Sequence, residues 1–268
     1  MPFRFKQFSV DDADCAMKVG TDSVMLGAWA NFNNCNAVLD IGTGCGILAL
    51  MAAQECSAQI TALDIDAEAC ARASDNFRLS PWSNRLTCLH SGLMDYAGLL
   101  HQQYGIKTES RNITGPEPVE VNAGNNFCKS TPRDHSAFDH IITNPPYFTD
   151  SLKSPEAAKN IARHNDVLPL EQLVKAAQKL LKESGKLSLI LPFMAKDEIR
   201  MLCSDNYLFL SRQLLIVPKT GKPANRILME FVKSPFFNPE TRELTIRNMN
   251  GNYTAEYIAL TQKFYLNF

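Results

Sequence analysis

The chain has 268 residues, 45% of them hydrophobic and 21% charged, and its 27 lysines and arginines nearly balance 28 aspartates and glutamates. This length fits one large α/β domain or two small ones, and the composition is that of a soluble globular protein. The net charge of −1 excludes a protein that attracts nucleic acid through a strongly basic overall field, so any contact with RNA or DNA must depend on local patches.

Cysteine usage and the N-terminal residues favour a cytoplasmic protein. The eight cysteines contain no CxxC pair and the five histidines show no metal-ligand spacing, so we expect reduced thiols and no bound metal. The start, MPFRFKQFSV, is neither a signal nor a transit peptide. No apolar run reaches the roughly 18 residues that a membrane helix needs, so we expect no membrane association, and we expect a monomer.

From residue 37 onward, predicted strands alternate with predicted helices. Short apolar runs predict strands at residues 37–42, 59–66, 85–91, 138–144, 186–192, 209–218 and 226–233. Helical patterns lie at 46–56, 67–80, 168–184 and 252–268; Gly185 ends the third of these helices and Thr254 caps the fourth. Such alternation predicts a parallel, doubly wound sheet with ligands at the carboxyl ends of its strands.

The last two predicted strands have no strong helical pattern between them, which predicts an antiparallel hairpin at one edge of the sheet. We therefore predict a Rossmann-like α/β fold with a seven-stranded, mostly parallel sheet, an arrangement typical of class I methyltransferases. Residues 103–136 are rich in glycine, proline, asparagine, serine and threonine and show no sustained period. We expect a long, mobile surface insertion there.

A glycine-rich loop follows the first predicted strand in LDIGTGCG, which places Asp40 at the strand end and glycines at Gly42, Gly44 and Gly46. Glycines let the backbone turn sharply and approach a ligand closely. Asp64 ends the next strand, where its carboxylate can accept hydrogen bonds from both ribose hydroxyls. The spacing GxGxG does not open a pyrophosphate-binding helix as GxGxxG does, so S-adenosylmethionine fits this loop better than a nicotinamide dinucleotide.

Further predictions concern residues near the loop and after the second and third strands. Ser91 and Gly92 follow the third strand, where an acidic or amide side chain would hold an adenine ring, and Ser91 is the candidate. Asp66 is expected to cap the helix that follows it, and Cys45 is expected to pack inside the loop.

The fourth strand ends in the stretch NPPYF, residues 144–148. Two consecutive prolines remove two backbone donors and fix two φ angles, so carbonyl groups there can face a ligand without competing N–H groups. Asn144 Oδ1 and the Pro145 carbonyl can each accept one N–H of an exocyclic amine, which turns the lone pair of that amine towards a methyl donor. The ring of Tyr147 offers a face on which a base can stack. The stretch resembles the loop of amino-methyltransferases that act on planar amines and amides.

Several longer segments make the resemblance narrower: FKQF, CAMKVGTDSVMLGAWA, LDIGTGCGILALMAAQ, SPW, NPPYF, ARH and YTAEYIALTQKFYL. Together they closely resemble the bacterial tRNA1(Val) adenine-37 N6-methyltransferase family, over nearly the whole chain except the insertion. The resemblance implies methylation of the adenine beside the anticodon. It also implies one methyltransferase domain, 37–268, with an N-terminal extension, 1–36, that packs on the cofactor site.

Carried over residue by residue, the resemblance implies cofactor contacts by Asp40, the three loop glycines and Asp64, and catalytic binding of the base amine by Asn144, Pro145 and Tyr147. Asn144 is also expected to contact the cofactor. It implies that KVGTD closes over the methionine end of the cofactor, with Lys18, Thr21 and Asp22 as candidate residues. One departure is Gly92, which stands where related sequences often have an acidic residue. The insertion is a second departure.

Binding of a tRNA anticodon loop would need basic and aromatic residues near the base pocket, because phosphate contacts supply most of the affinity. The candidate nucleic-acid-binding residues are Arg4, Lys6, Phe148, Arg163, His164, Lys219, Lys222 and Arg226.

Three functions remain open on the residues alone. Methylation of an adenine in tRNA, or of another nucleic-acid adenine, uses all the motifs above. Methylation of a protein glutamine amide would use the same Asn-Pro-Pro-Tyr loop. A nicotinamide-dependent oxidoreductase or a non-catalytic nucleotide-binding module would use the glycine loop alone.

Overall fold

A computed structural model of the chain describes residues 2–13, 15, 18–104, 138–146, 168–235 and 238–267. The helices are α1 (Thr21–Trp29), α2 (Ile47–Glu55), α3 (Ala67–Arg78), α4 (Leu93–Tyr104), α5 (Leu170–Leu180), α6 (Lys196–Asp205) and α7 (Ala255–Thr261). The strands are β1 (Phe3–Arg4), β2 (Ser9–Val10), β3 (Ala37–Ile41), β4 (Gln59–Asp64), β5 (Leu86–His90), β6 (Phe138–Thr143), β7 (Leu181–Pro192), β8 (Phe209–Lys219), β9 (Arg226–Val232) and β10 (Glu240–Arg247). Short 3-10 helices lie at Ser83–Arg85 and Phe193–Ala195.

The main sheet of the described residues has eight strands in the order β10-β8-β9-β7-β6-β3-β4-β5, and β1 pairs with β2 in a separate hairpin. Strand β9 is antiparallel to both of its neighbours, and every other pair in the main sheet is parallel. The predicted Rossmann-like, mostly parallel sheet and its hairpin are therefore confirmed. The predicted count of seven strands is wrong, because β10 pairs outside β8 and extends the sheet beyond the hairpin.

Helices cover both faces of the sheet because its central strands are apolar on both sides. Ile141 and Ile142 are neighbours in β6 and both are fully buried, and successive side chains of a strand point to opposite faces. Ile142 belongs to a core shared with α1, α2, α3 and α7, whereas Ile141 belongs to a core shared with α4, α5 and α6. The carboxyl edge of the sheet is thus held by packing on both sides.

Two predicted helix caps are confirmed. The Asp66 side chain accepts from the N–H of Glu68 at 2.8 Å and begins α3. The Thr254 hydroxyl oxygen accepts from the N–H of Tyr257 at 3.2 Å and begins α7. A cap of this kind stabilises a helix by about 1 kcal/mol.

Some elements lie outside the predicted pattern for a physical reason. Helix α1 carries five consecutive buried residues, 23–27, so it has no polar face and no helical period. In β10 only Leu244 is buried, so no apolar run marks this edge strand. Helix α5 ends at Leu180, before the predicted Ser184, because the chain continues there into β7. The predicted insertion at 103–136 lies outside the described residues, apart from the end of α4.

Three further features of the described residues concern their cysteines, their potential metal ligands and the length of their apolar helices. Their seven cysteines are free thiols. They contain no group of three or more histidine, cysteine, aspartate or glutamate side chains that could hold a metal ion. None of their helices has the length and apolar character that crossing a bilayer requires.

Candidate active site

Three neighbouring strands bring the glycine loop, Asp64 and Asn144 together at the carboxyl edge of the sheet. Ile41, the last residue of β3, pairs with Leu63 on one side and with Thr143 on the other. The residues that follow each strand end therefore lie about 5 Å from strand to strand. Sequence positions more than 100 residues apart in the chain thus share one small region.

The glycine loop lies open at this edge. Gly42 and Thr43 both donate their N–H groups to the Leu63 carbonyl at 2.9 Å, which fastens the loop to β4. Gly42 and Gly44 have φ angles of +68° and +55°, and a Cβ built on either one would have no heavy atom within 4 Å. The loop thus presents bare backbone to an open space, which is the form that a closely bound ligand requires.

Asp40 and Gly46 support the loop from beneath. Asp40 is completely buried, and its Oδ2 accepts from the Thr43 hydroxyl at 2.6 Å and from the Ala49 N–H at 3.1 Å. Burial raises the pKa of Asp40 to about 7. A Cβ on Gly46 would lie 2.5 Å from the Phe77 ring, so this glycine lets the loop pack against α3. Asp40 and Gly46 therefore shape the loop from its packed side, while Gly42 and Gly44 lie on its open side.

Asp64 faces the loop from the end of β4. Its Oδ2 accepts from the Gly44 N–H at 2.8 Å and its Oδ1 accepts from the Asp66 N–H at 3.0 Å. Each carboxylate oxygen has about two acceptor sites, so both oxygens retain capacity for a diol. Ser91 lies on the next strand end, where its N–H donates to the Asp64 carbonyl at 2.9 Å. The set fits the ribose of a nucleoside held along the strand ends.

Asn144 lies half-buried directly after β6, and Pro145 behind it is buried. The Asn144 Nδ2 donates to Ser23 Oγ at 3.1 Å, which directs the NH2 group towards α1 and leaves Oδ1 as the atom that can accept from a substrate. Of the predicted catalytic residues, Tyr147 lies outside the described residues.

The predicted KVGTD residues lie in two places: Lys18 lies against the N-terminal segment, and Thr21 and Asp22 lie in the first turn of α1. Lys18 donates through Nζ to the carbonyls of Asp12 and Ala13, so it fastens the N-terminal segment. Thr21 is exposed and Asp22 is half-buried in the first turn of α1. Asp22 Oδ2 accepts from Arg226 Nε at 2.8 Å, and this ion pair ties α1 to the start of β9.

The predicted nucleic-acid contacts are spread over two regions of the described chain. Lys219 at the end of β8 and Lys222 in the turn before β9 are exposed at the same edge as Asn144. Arg4 and Lys6 lie elsewhere: Lys6 donates to the Gln262 carbonyl beside the far end of α2. Phe148, Arg163 and His164 lie outside the described residues.

Two residues to which the motifs assign no role, Ser23 and Arg247, lie at this edge. Ser23 contacts Asn144 across 121 positions of sequence, and no local pattern signals such a pair. Arg247 ends β10 opposite Lys219, and its guanidinium stacks on the Tyr253 ring at 4.1 Å. The Arg-Asn-Met-Asn-Gly-Asn-Tyr stretch at 247–253 shows a turn composition, but the strand before it had no apolar run that would place it on the sheet.

Comparison with known proteins identifies the class to which this fold belongs. A sequence profile of the family "Ribosomal protein L11 methyltransferase (PrmA)" matches residues 24–103, which span the glycine loop and Asp64. The fold resembles the crystal structure of a predicted O-methyltransferase from Agrobacterium tumefaciens, with a TM-score of 0.56 and 18% identity over 91% of this chain and 96% of that one. The fold and the site together define a class I methyltransferase, and its methyl donor is S-adenosylmethionine.

Relatives of the whole chain narrow the class. A protein of Bacteroides fragilis strain YCH46 named tRNA1(Val) (adenine(37)-N6)-methyltransferase is 39% identical over 98% of this chain and 97% of its own length. A protein of Shewanella baltica strain OS185 with the same name is 35% identical over 100% of both chains. The chain belongs to the tRNA1(Val) (adenine(37)-N6)-methyltransferase family, as its motifs indicated.

Proposed function

We propose that this protein transfers the methyl group of S-adenosylmethionine to the N6 amine of adenine 37 in tRNA1(Val), in the cytoplasm and as a monomer. The observation that carries the proposal is the position of Asn144 beside the open glycine loop, with its NH2 group engaged by Ser23. Full-length relatives with this name support the choice of substrate.

The cofactor side of the site uses backbone and one carboxylate. Gly42 and Gly44 allow the bound nucleoside to lie against bare main chain, and Asp64 accepts from its ribose hydroxyls. When bound, S-adenosylmethionine supplies an electrophilic methyl group, so the protein needs to provide orientation more than activation. Asp40 contributes by holding the loop through Thr43.

The substrate side of the site uses two acceptors. Asn144 Oδ1 and the Pro145 carbonyl accept the two N–H groups of the adenine amine, which withdraws its lone pair from the ring and aims it at the methyl carbon. Holding the two reacting atoms in line supplies the main part of the rate increase. The transfer would form a bond from the amine nitrogen to the methyl carbon while the bond from that carbon to sulfur breaks, with S-adenosylhomocysteine as the leaving group. The nitrogen would then lose one proton to water, so no strong base is needed.

The tRNA must present adenine 37 unstacked, since the amine has to enter a pocket at the end of a sheet. Tyr147 and Phe148, from the NPPYF motif, would stack on the base, and one such stack contributes about 1–3 kcal/mol. Lys219 and Lys222 lie at the same edge and, with Arg247 opposite, would meet the backbone phosphates.

The experiment that tests the proposal is an assay with purified protein, labelled S-adenosylmethionine and tRNA1(Val) transcribed without modifications. Nucleoside mass spectrometry should find N6-methyladenosine, and a transcript with guanine at position 37 should stay unlabelled. Label in added protein instead of RNA would show that the substrate is a glutamine amide. Absence of N6-methyladenosine in the adenine-37 transcript would refute the proposal.

A further inference from the structure

An asparagine can present either of two chemically opposite groups to a substrate. Its Oδ1 accepts hydrogen bonds, whereas its Nδ2 donates them, and rotation of the terminal amide exchanges the two because that torsion is broad and roughly two-fold. An amine substrate is a donor, so only the Oδ1 orientation of Asn144 is productive. The enzyme therefore needs a group that selects this orientation.

Ser23 is placed to select it. Its Oγ lies 3.1 Å from Asn144 Nδ2, and the residue is 9% exposed on α1. We propose that Ser23 is a positioning residue that accepts from the Asn144 amide and so holds Oδ1 towards the substrate amine. The inference rests on the function proposed above and assigns to Ser23 a role that none of the motifs indicated.

The helix around Ser23 makes its position firm. Val24 and Met25, the next two residues, are fully buried in the core beneath the sheet face. On the other side of Ser23, Asp22 is paired with Arg226 at 2.8 Å. Arg226 pairs in register with Pro192, the last residue of β7, so this anchor lies at the same edge as Asn144. Ser23 is thus held between a packed core and an ion pair.

The direction of the hydrogen bond follows from the chemistry of the proposed substrate, an amine that donates. A serine hydroxyl has one donor and two acceptor sites, so on geometry alone it can also donate to Asn144 Oδ1. That arrangement would turn the amide NH2 towards the amine of the substrate and set donor against donor. In a protein that methylates an amine, Ser23 accordingly acts as the acceptor.

The test compares Ser23→Ala with Ser23→Thr, which keeps the hydroxyl. We expect S23A to lower kcat about two- to tenfold, because one neutral hydrogen bond is lost, while the Kd for S-adenosylmethionine stays unchanged and the melting temperature falls by only a few degrees, as it should in S80A. S23T should recover most of the lost turnover. The matched control is Ser80→Ala: Ser80 is also 9% exposed and donates to the Phe77 carbonyl at 2.8 Å, so S80A should keep wild-type turnover.

A second test uses a variant of residue 144 in which the orientation of the side-chain end group no longer matters. Asn144→Asp has two equivalent oxygens, so in that background S23A should cause no further loss of turnover. Equal turnover of S23A and the wild type would overturn the inference, as would equal losses in S23A and S23T, which would indicate packing instead of hydrogen bonding. An inactive N144D does not weaken the test, because the comparison of S23A with S23T decides it.

Nuclear magnetic resonance separates failure of this inference from failure of the proposed function. The side-chain NH2 resonances of Asn144 should shift in S23A and stay near their wild-type positions in S80A. If wild-type protein methylates no tRNA but these resonances move as expected, the substrate assignment is wrong and the positioning contact stands. If tRNA is methylated and the resonances do not respond to S23A, the inference is wrong and the function stands.

Discussion

Gly44→Ala and Gly46→Ala form a matched pair that separates the open side of the glycine loop from its packed side. Both glycines have positive φ angles, +55° and +86°. An alanine at either position must therefore adopt a left-handed backbone conformation, which costs about 1–2 kcal/mol. The pair differs in what the new methyl group meets: Gly44 faces open space, whereas Gly46 has the Phe77 ring at 2.5 Å and Ala73 at 3.3 Å.

The expected magnitudes follow from that difference. G44A should lower the free energy of unfolding by the backbone strain alone, about 1–2 kcal/mol. G46A should add the strain of overpacking, typically 1–3 kcal/mol, for a total of about 2–5 kcal/mol. Binding should show the reverse order, because the methyl group of G44A projects into the space where the cofactor would lie, and that of G46A does not.

Urea denaturation measures the first quantity and calorimetry with S-adenosylmethionine measures the second. We expect G44A to be the more stable variant and to bind the cofactor at least tenfold more weakly than G46A at a temperature where both are folded. If G44A bound the cofactor like the wild type, the open side of the loop would not be the cofactor side. If G46A were as stable as G44A, the Phe77 ring would not make a methyl group at position 46 destabilising.

Three further predictions use other parts of the site. Asn144→Ala should reduce turnover about a hundredfold or more with little change in cofactor affinity, whereas Asp64→Ala should weaken cofactor binding at least tenfold; equal effects of N144A on both quantities would make Asn144 structural. Replacing Lys219 and Lys222 by alanine should weaken tRNA binding and reduce the slope of log binding constant against log salt concentration by about 2. An unchanged slope in a filter-binding assay would show that these two lysines do not contact the tRNA phosphates. Asp40 has a folded-state pKa of about 7, above its ordinary 3.8, so its contribution to stability is complete below pH 3.8 and is lost as pH rises through 7. The stability of the wild type relative to Asp40→Asn should therefore fall by up to about 4 kcal/mol between pH 4 and pH 8, and a flat difference in denaturation would show that this carboxyl titrates normally.

The elements that could be predicted are those whose signal is local. Strands β3, β4 and β6 are mostly buried, so each contains several apolar residues within a short stretch. The glycine loop, Asp64 and Asn144 are each adjacent to one of these strands. Because parallel strands end at a common edge, local motifs were sufficient to predict that these residues meet.

The elements that could not be predicted depend on contacts between distant segments. The sequence predicts a cofactor contact for Asp22 and an RNA contact for Arg226, and the two side chains form an ion pair with each other across 204 positions. The motifs predict no role for Ser23, because its partner Asn144 lies 121 positions away. Strand β10 is mostly exposed and owes its place to pairing with β8. A composition pattern carries no information of this kind.

Helix α1 explains how the substrate acceptor is positioned before a ligand arrives. Its first turn is tied to β9 by the ion pair of Asp22. At its last residue, the Trp29 ring lies 4.0 Å from the Arg212 guanidinium, which also donates to the Trp29 carbonyl at 3.2 Å. Arg212 in turn pairs with Glu230 of β9 at 2.8 Å. Although burial opposes its charge, the pKa of Glu230 is held below its usual value by Arg212 and Lys186.

A helix fastened to neighbouring strands at both ends resists sliding along its axis, since a shift would separate the Asp22–Arg226 ion pair at one end and the Trp29–Arg212 contacts at the other. Ser23 therefore keeps its distance from Asn144 without help from a substrate. Acceptors held in place in advance need no reorganisation during the reaction, which is the condition under which polar groups contribute most to catalysis. It follows that weakening either anchor of α1 should affect turnover through Asn144, even though neither anchor contacts it.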